Sequence, residues 1–129
     1  MTTRAEKIRE LPSGEACPVE FTFEVIGGKW KGILLYHMIN GKKRFNEFRK
    51  QCPSITQRML TLQLRELEED GIVHREIYKQ IPPKVEYSLT PFGETLVPII
   101  LSMKHWGEQH RPQVYENRKE RESSSSLNS

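Results

Sequence analysis

The sequence predicts a mainly α domain that carries one small β-hairpin, an α+β chain. Three observations predict it. Apolar residues recur at helical spacing in several separate stretches, most clearly at Leu60, Leu64 and Leu67. Residues 84–89 alternate instead, with Val85, Tyr87 and Leu89 on one side of an extended strand. At 129 residues the chain has the length of one domain and can bury a core without a metal or disulfide staple.

The elements follow in order. Residues 1–16 form an N-terminal arm that passes through Pro12-Ser13-Gly14. Cys17-Pro18 opens a helix with Val19, Phe23 and Ile26 at helical spacing, since proline at the first helical position gives up no needed N–H. Gly27-Gly28 stops it. Residues 29–39 read as a second helix, in which Gly32 costs about 1 kcal/mol against alanine and needs tertiary support. Asn40-Gly41 is a turn, and a short third helix runs from Phe45 to the Cys52-Pro53 break.

A fourth helix is expected to begin at Ser54. Ser54-x-x-Gln57 fits a capping box, and Leu60, Leu64 and Leu67 give the helix a core-facing side. The acids Glu66, Glu68, Glu69 and Asp70 crowd its C-terminal end, where the helix dipole disfavours them, so water or basic partners must meet them. Gly71 ends the helix. Strand-like runs at 72–78 and 84–89 flank Ile81-Pro82-Pro83, a stiff loop tip. Thr90-Pro91 starts a last helix reaching about Val114, with Phe92, Leu96, Ile99, Ile100, Met103 and Trp106 in a stripe. That stripe is wider than one small core needs, which suggests a second copy, and Pro98 should bend the helix. The domain is therefore placed at 17–115, with a charged, Ser-rich tail at 116–129 expected to be disordered.

Charge is unevenly spread. Residues 29–65 hold nine basic residues against the single acid Glu47, a net of +8, while the rest of the chain carries −5. Such a local excess is the footprint expected of phosphate contact. A short helix, a turn, a longer helix and a hairpin, in that order, make a winged helix-turn-helix. In that fold the N-terminal part of the second helix meets base edges in the major groove of double-stranded DNA. Gln57, Arg58 and Thr61 fall there, Arg58 suited to guanine and Gln57 to adenine. Ser54 and Thr56 at the helix entrance join the DNA-contacting set. Arg65, one turn on, suits phosphate, as do Lys43 and Arg44 just before the third helix, while Lys79 and Lys84 flank the hairpin tip. A solvated helix face is the plainer reading of Gln57, Arg58 and Thr61. A winged helix that binds only another protein is a further alternative, which the basic segment disfavours.

Six motifs stand out: Gly27-Gly28-Lys29-Trp30, Arg44-Phe45-Asn46-Glu47-Phe48, Ile55-Thr56-Gln57-Arg58-Met59-Leu60, Leu64-Arg65-Glu66-Leu67-Glu68-Glu69-Asp70-Gly71-Ile72-Val73, Pro82-Pro83-Lys84-Val85-Glu86-Tyr87-Ser88-Leu89-Thr90-Pro91 and Trp106-Gly107. Together they resemble the HxlR-type regulators, a branch of MarR-like winged-helix transcription factors. The resemblance spans residues 17–110 and departs at Lys31-Gly32, which is less apolar than usual. It implies a bacterial homodimer joined through its terminal helices. Two copies would set their recognition helices about 34 Å apart on a near-palindromic operator.

Cys17 stands before Pro18 at a helix N-terminus, where backbone N–H groups favour a thiolate, although Glu15 and Glu20 oppose this. A half-buried, inert thiol is the alternative. The resemblance implies that this Cys-Pro cysteine senses an oxidant or electrophile. Cys52 reads as a small core residue. A sharper hypothesis pairs it with Cys17 of the other subunit, which requires Cα atoms within about 7 Å. A regulator with no thiol switch stays open beside it.

Other functions find no support. The four histidines are scattered, His105 and His110 being five apart rather than four, so no metal site is expected. There is no Gly-rich phosphate loop, no base beside Cys17 and hence no enzyme or cofactor. No apolar run reaches the ~20 residues of a membrane span. The first ten residues hold Arg4, Glu6, Lys7, Arg9 and Glu10 with no apolar stretch, so a secretory signal is not expected. Two cysteines make no disulfide framework, and a reducing cytoplasm is the expected compartment.

Overall fold

The computed structural model describes residues 17–127; the arm at 1–16 and the last two residues of the tail lie outside the described residues. Among the described residues five α-helices and a hairpin follow one another. They are α1 (Pro18–Ile26), α2 (Lys31–Met38), α3 (Phe45–Gln51), α4 (Gln57–Glu69), β1 (Val73–Tyr78), β2 (Lys84–Leu89), a 3₁₀ turn (Gly93–Leu96) and α5 (Val97–Leu127). β1 and β2 are antiparallel, in a register that sets Arg75 opposite Tyr87 and Val73 opposite Leu89. Residue 43 adds a bridge to this hairpin: Lys43 and Tyr87 exchange both backbone hydrogen bonds, at 2.9 and 2.8 Å. The α2–α3 connection is thereby tied to the wing, a long-range pairing that no local pattern announced.

The core is assembled from one face of each element. Leu34, Leu35 and Met38 of α2 meet Phe48 of α3, Leu60, Leu64 and Leu67 of α4, and Ile72, Val73 and Ile100. Each fully buried leucine contributes about 1.5–3 kcal/mol relative to exposure. Gly32 faces this packing, but a methyl group there would meet the Ile26 carbonyl and the Ile100 side chain only at ordinary contact distance, 3.7 and 4.0 Å, so the packing accommodates a side chain and does not itself require glycine.

The end of α4 is closed by backbone geometry. Gly71 takes φ +76°, Gly71 N–H donates to Glu68 O and Ile72 N–H to Leu67 O, both at 2.9 Å. This double closure needs a left-handed residue, which glycine supplies at no steric cost. Ile72 and Leu67 are both buried beside it. Thr90 then docks on the same corner. Its hydroxyl donates to Gly71 O at 2.6 Å and accepts from Gly93 N–H at 2.8 Å.

Several expectations are corrected. In α1 only Ile26 is buried, and Val19 and Phe23, the latter 66% exposed, face outward. Among the described residues nothing covers that side of the helix. The last helix is preceded by the 3₁₀ turn, so Pro98 is the second residue of α5. There its absent N–H has no helical acceptor to miss, and no bend is needed. The interior proline is Pro112. The tail expected to be disordered continues α5 to Leu127. Residues 113–122 contain no glycine or proline and are rich in helix-forming Glu, Arg and Lys, and Gln113 donates to Asn117 at 2.8 Å one turn on. Among the described residues no helix is long and apolar enough to cross a membrane.

The sharpest correction concerns charge. Lys31 is buried, with its ammonium 2.9 Å from Glu66 Oε1, and the two side chains are 6% and 16% exposed. It therefore does not join the basic surface. It fastens α2 to α4 instead. Losing one partner of a buried pair leaves a desolvated charge behind, whereas removing both can be nearly neutral. Lys31→Met should thus lower stability in urea by about 3 kcal/mol, and Lys31→Met/Glu66→Leu should recover most of it. Equal losses in the single and double variants would show that the pair contributes little.

Candidate nucleic-acid interface

The interface is built on α4. Its buried side, Leu60, Leu64 and Leu67, fixes the rotation of the helix and turns the opposite side to solvent. Arg58, Thr61, Leu62 and Arg65 are exposed and lie at i, i+3, i+4 and i+7, one continuous stripe. Gln57 is exposed at the first position of the helix.

The start of α4 differs from expectation. Thr56, not Ser54, is the N-cap: its hydroxyl accepts from Met59 N–H at 3.1 Å. Ser54 lies in the preceding turn, where Ile55 N–H donates to Cys52 O at 3.1 Å and the Ile55 side chain enters the core. Starting the helix earlier would break that turn and expel Ile55. Gln57 is then the first helical residue and Arg58 the second, so both project from the positive end of the helix dipole. Thr61, exposed, donates its hydroxyl hydrogen to Gln57 O at 2.9 Å.

The acids at the far end of α4 are occupied. Glu66 holds Lys31, and Glu68 Oε1 accepts from Arg75 Nε at 3.2 Å, an ion pair from α4 to β1. Arg75, Tyr87 and residues of α4 line a groove of about 390 Å³ between helix and wing. The Tyr87 ring meets Phe48 edge-on at 6.2 Å, and burial pushes its phenol up, with Arg75 opposing and Glu68 adding to the shift.

The remaining basic residues divide. Arg44 is exposed and immediately precedes α3, where its N–H donates to Glu47 Oε1 at 3.0 Å. Lys43 is half-buried. Burial and the Lys43 charge together hold His37 below the usual histidine range. Lys79 is exposed at the wing. Lys84 is turned back along the hairpin, 4.9 Å over the Tyr78 ring and 3.5 Å from Glu86. Of the expected contacts, Gln57, Arg58, Thr61 and Arg65 are gathered on one helix, whereas Lys43 and Lys84 are partly engaged within the domain.

The two cysteines occupy opposite environments. Cys17 is exposed and forms the N-cap of α1, its carbonyl accepting from Phe21 N–H at 3.0 Å. Cys52 is buried at the C-cap of α3, and burial pushes its thiol up. It directly precedes the turn that sets the start of α4. Among the described residues no group of three His, Cys, Asp or Glu side chains is placed to hold a metal ion.

The profile of the HxlR-like helix-turn-helix family matches residues 25–115. This chain belongs to that family of transcriptional regulators. The HxlR-like match covers the helix-turn-helix, the wing and most of α5, and the family is not one of enzymes. The chain is 76% identical over 107 residues to the uncharacterized HTH-type transcriptional regulator YybR of Bacillus subtilis (strain 168), covering 83% of this chain and 86% of YybR. Among solved structures it is similar to the redox regulator HypR in two forms. The oxidized form gives a TM-score of 0.71 at 82% identity, over 72% of this chain and 96% of that one. The reduced form gives 0.76 at 76% identity, over 78% and 99%. A MarR-family regulator from Porphyromonas gingivalis W83, 33% identical, matches at a TM-score of 0.69 over 77% and 97%. The winged helix-turn-helix expected from element order is the fold these HxlR-like and MarR-like structures share with this chain.

The cap assignment has a direct test. Thr56→Ala should cost about 1 kcal/mol of stability in thermal or urea unfolding, and Ser54→Ala should stay within about 0.5 kcal/mol of wild type. The reverse order would place the cap at Ser54.

Proposed function

We propose that this regulator is a homodimer that binds near-palindromic double-stranded DNA through the outward stripe of α4, and that Cys17 makes this binding responsive to oxidants. The observation that carries the DNA reading is the exposure of Arg58, Thr61 and Arg65 on a helix whose other face is locked in the core. Arg58 reads base edges, Arg65 and Arg44 contact phosphate and fix the register, and the wing supports a flank of the site through Lys79. The second copy covers the apolar residues of the terminal helices that are exposed among the described residues, Val19 and Phe23 on α1 and Met103 and Trp106 on α5.

The redox reading rests on the exposed Cys17 and on the likeness to HypR, a regulator with oxidized and reduced forms. With a peroxide, the Cys17 thiolate attacks one oxygen and becomes a sulfenic acid, releasing water. The Cys52 thiol of the second copy then displaces the second water and closes a disulfide, so two thiols are oxidised and one peroxide is reduced. Cys52 must leave the core for that step, and its neighbour is the turn that aims α4. Oxidation and operator geometry are coupled at that point.

The experiment uses duplexes enriched by the protein from a randomised pool. Affinity should fall steeply with salt through counterion release, and Arg58→Ala should cost about 1–3 kcal/mol and flatten base preference. Peroxide should convert wild type to a disulfide-linked dimer on non-reducing gels, and neither Cys17→Ser nor Cys52→Ser should do so. Undiminished affinity in Arg58→Ala would remove it from readout. A peroxide response that survives Cys17→Ser would move the sensor elsewhere.

A further inference from the structure

The outward stripe of α4 contains one apolar residue among its charged and polar ones. Leu62 is 45% exposed, although it sits on a helix that has already sent Leu60, Leu64 and Leu67 into the core. Its position follows from helix geometry. At 100° per residue Leu62 points almost directly away from the buried leucines, and Arg58 and Arg65, one turn to either side, flank it. Neighbouring polar side chains turn elsewhere: Gln63 donates to Met59 Sδ at 3.2 Å on one edge, and Glu68 holds Arg75 on the other. On the outward side of the helix Leu62 thus lies between two arginines, with the exposed Glu69 one turn beyond Arg65. A leucine there gains nothing from water and has no partner within the chain's core.

Resting on the DNA reading above, we infer that Leu62 is a specificity-determining residue that contacts the C5-methyl group of a thymine in the major groove. The chemistry is selective. Among the four bases only thymine presents an apolar group on its major-groove edge, and an apolar side chain recognises it by excluding water from both. Arg58 and Arg65 cannot distinguish thymine this way, because a guanidinium seeks acceptors. With arginine at one turn's distance on either side, the leucine is held at groove depth and the thymine falls between the arginine contacts. The recognised half-site therefore combines an acceptor-rich base for Arg58 with an adjacent thymine for Leu62.

The test removes one methyl group from the DNA. In duplexes enriched from a randomised pool by the wild-type protein, each thymine is replaced in turn by deoxyuridine, which keeps all base-pair hydrogen bonds. One replacement per half-site should weaken wild-type binding about fourfold, the worth of one buried methyl group. The same replacement should leave Leu62→Ala unaffected. Leu62→Gln, which preserves helix propensity, should show the same insensitivity, and unchanged far-UV circular dichroism excludes a folding defect in either. The inference is overturned if no single replacement weakens wild type, or if both variants lose as much as wild type does. Enrichment of no duplex would overturn the DNA reading as well, an outcome distinct from binding that ignores the methyl group.

Discussion

The burial of Leu60, Leu64 and Leu67 is the constraint on which the rest of the structure depends. A helix can rotate about its axis unless one face is held, and three fully buried leucines hold α4 more firmly than any surface contact could. Once that face is fixed, the directions of Arg58, Thr61, Leu62 and Arg65 follow from helical period alone. The other devices refine the placement. Thr56 sets where the helix starts, Gly71 where it stops, and Lys31–Glu66 and Arg75–Glu68 tie it to α2 and to the wing. The outward stripe of α4 is supported from behind, by the core.

The same arrangement accounts for the uneven distribution of charge. Acids at the C-terminal end of a helix oppose its dipole, and here two of them earn their place by holding basic groups on neighbouring elements. The N-terminal half of α4 carries no acid at all, so its dipole and its arginines act in the same sense toward a polyanion. Cys52 lies at the junction of these effects, buried behind the turn that leads into α4, while Cys17 stands in solvent at the head of α1.

What was legible in the sequence was whatever repeats locally. The leucine period of α4, the alternation of β2 and the glycine stops at Gly28 and Gly71 each express themselves within a few residues, and the element order followed from them. What was not legible depends on distant partners. Lys31 looks like part of a basic cluster until Glu66, thirty-five positions later, takes it into the core. The bridge of Lys43 to Tyr87 has the same character. The cap was misplaced because Ser54 and Thr56 are both competent caps, and only the demand of Ile55 for burial decides between them. Pro98 read as a kink because the 3₁₀ turn before α5 is not marked by any periodicity. The outward stripe of α4 was largely legible, with Leu62 missed because an exposed leucine carries no signal of its own.

The central claim is that the outward face of α4 enters the DNA groove. A nitrogen-15 NMR titration of the whole protein with an enriched duplex tests it most directly. The account predicts that amide and arginine side-chain resonances of residues 57–65 shift most, with smaller changes at Arg44 and the hairpin, while α1 and the outer half of α5 stay in place. Saturable binding that leaves residues 57–65 unmoved would contradict it.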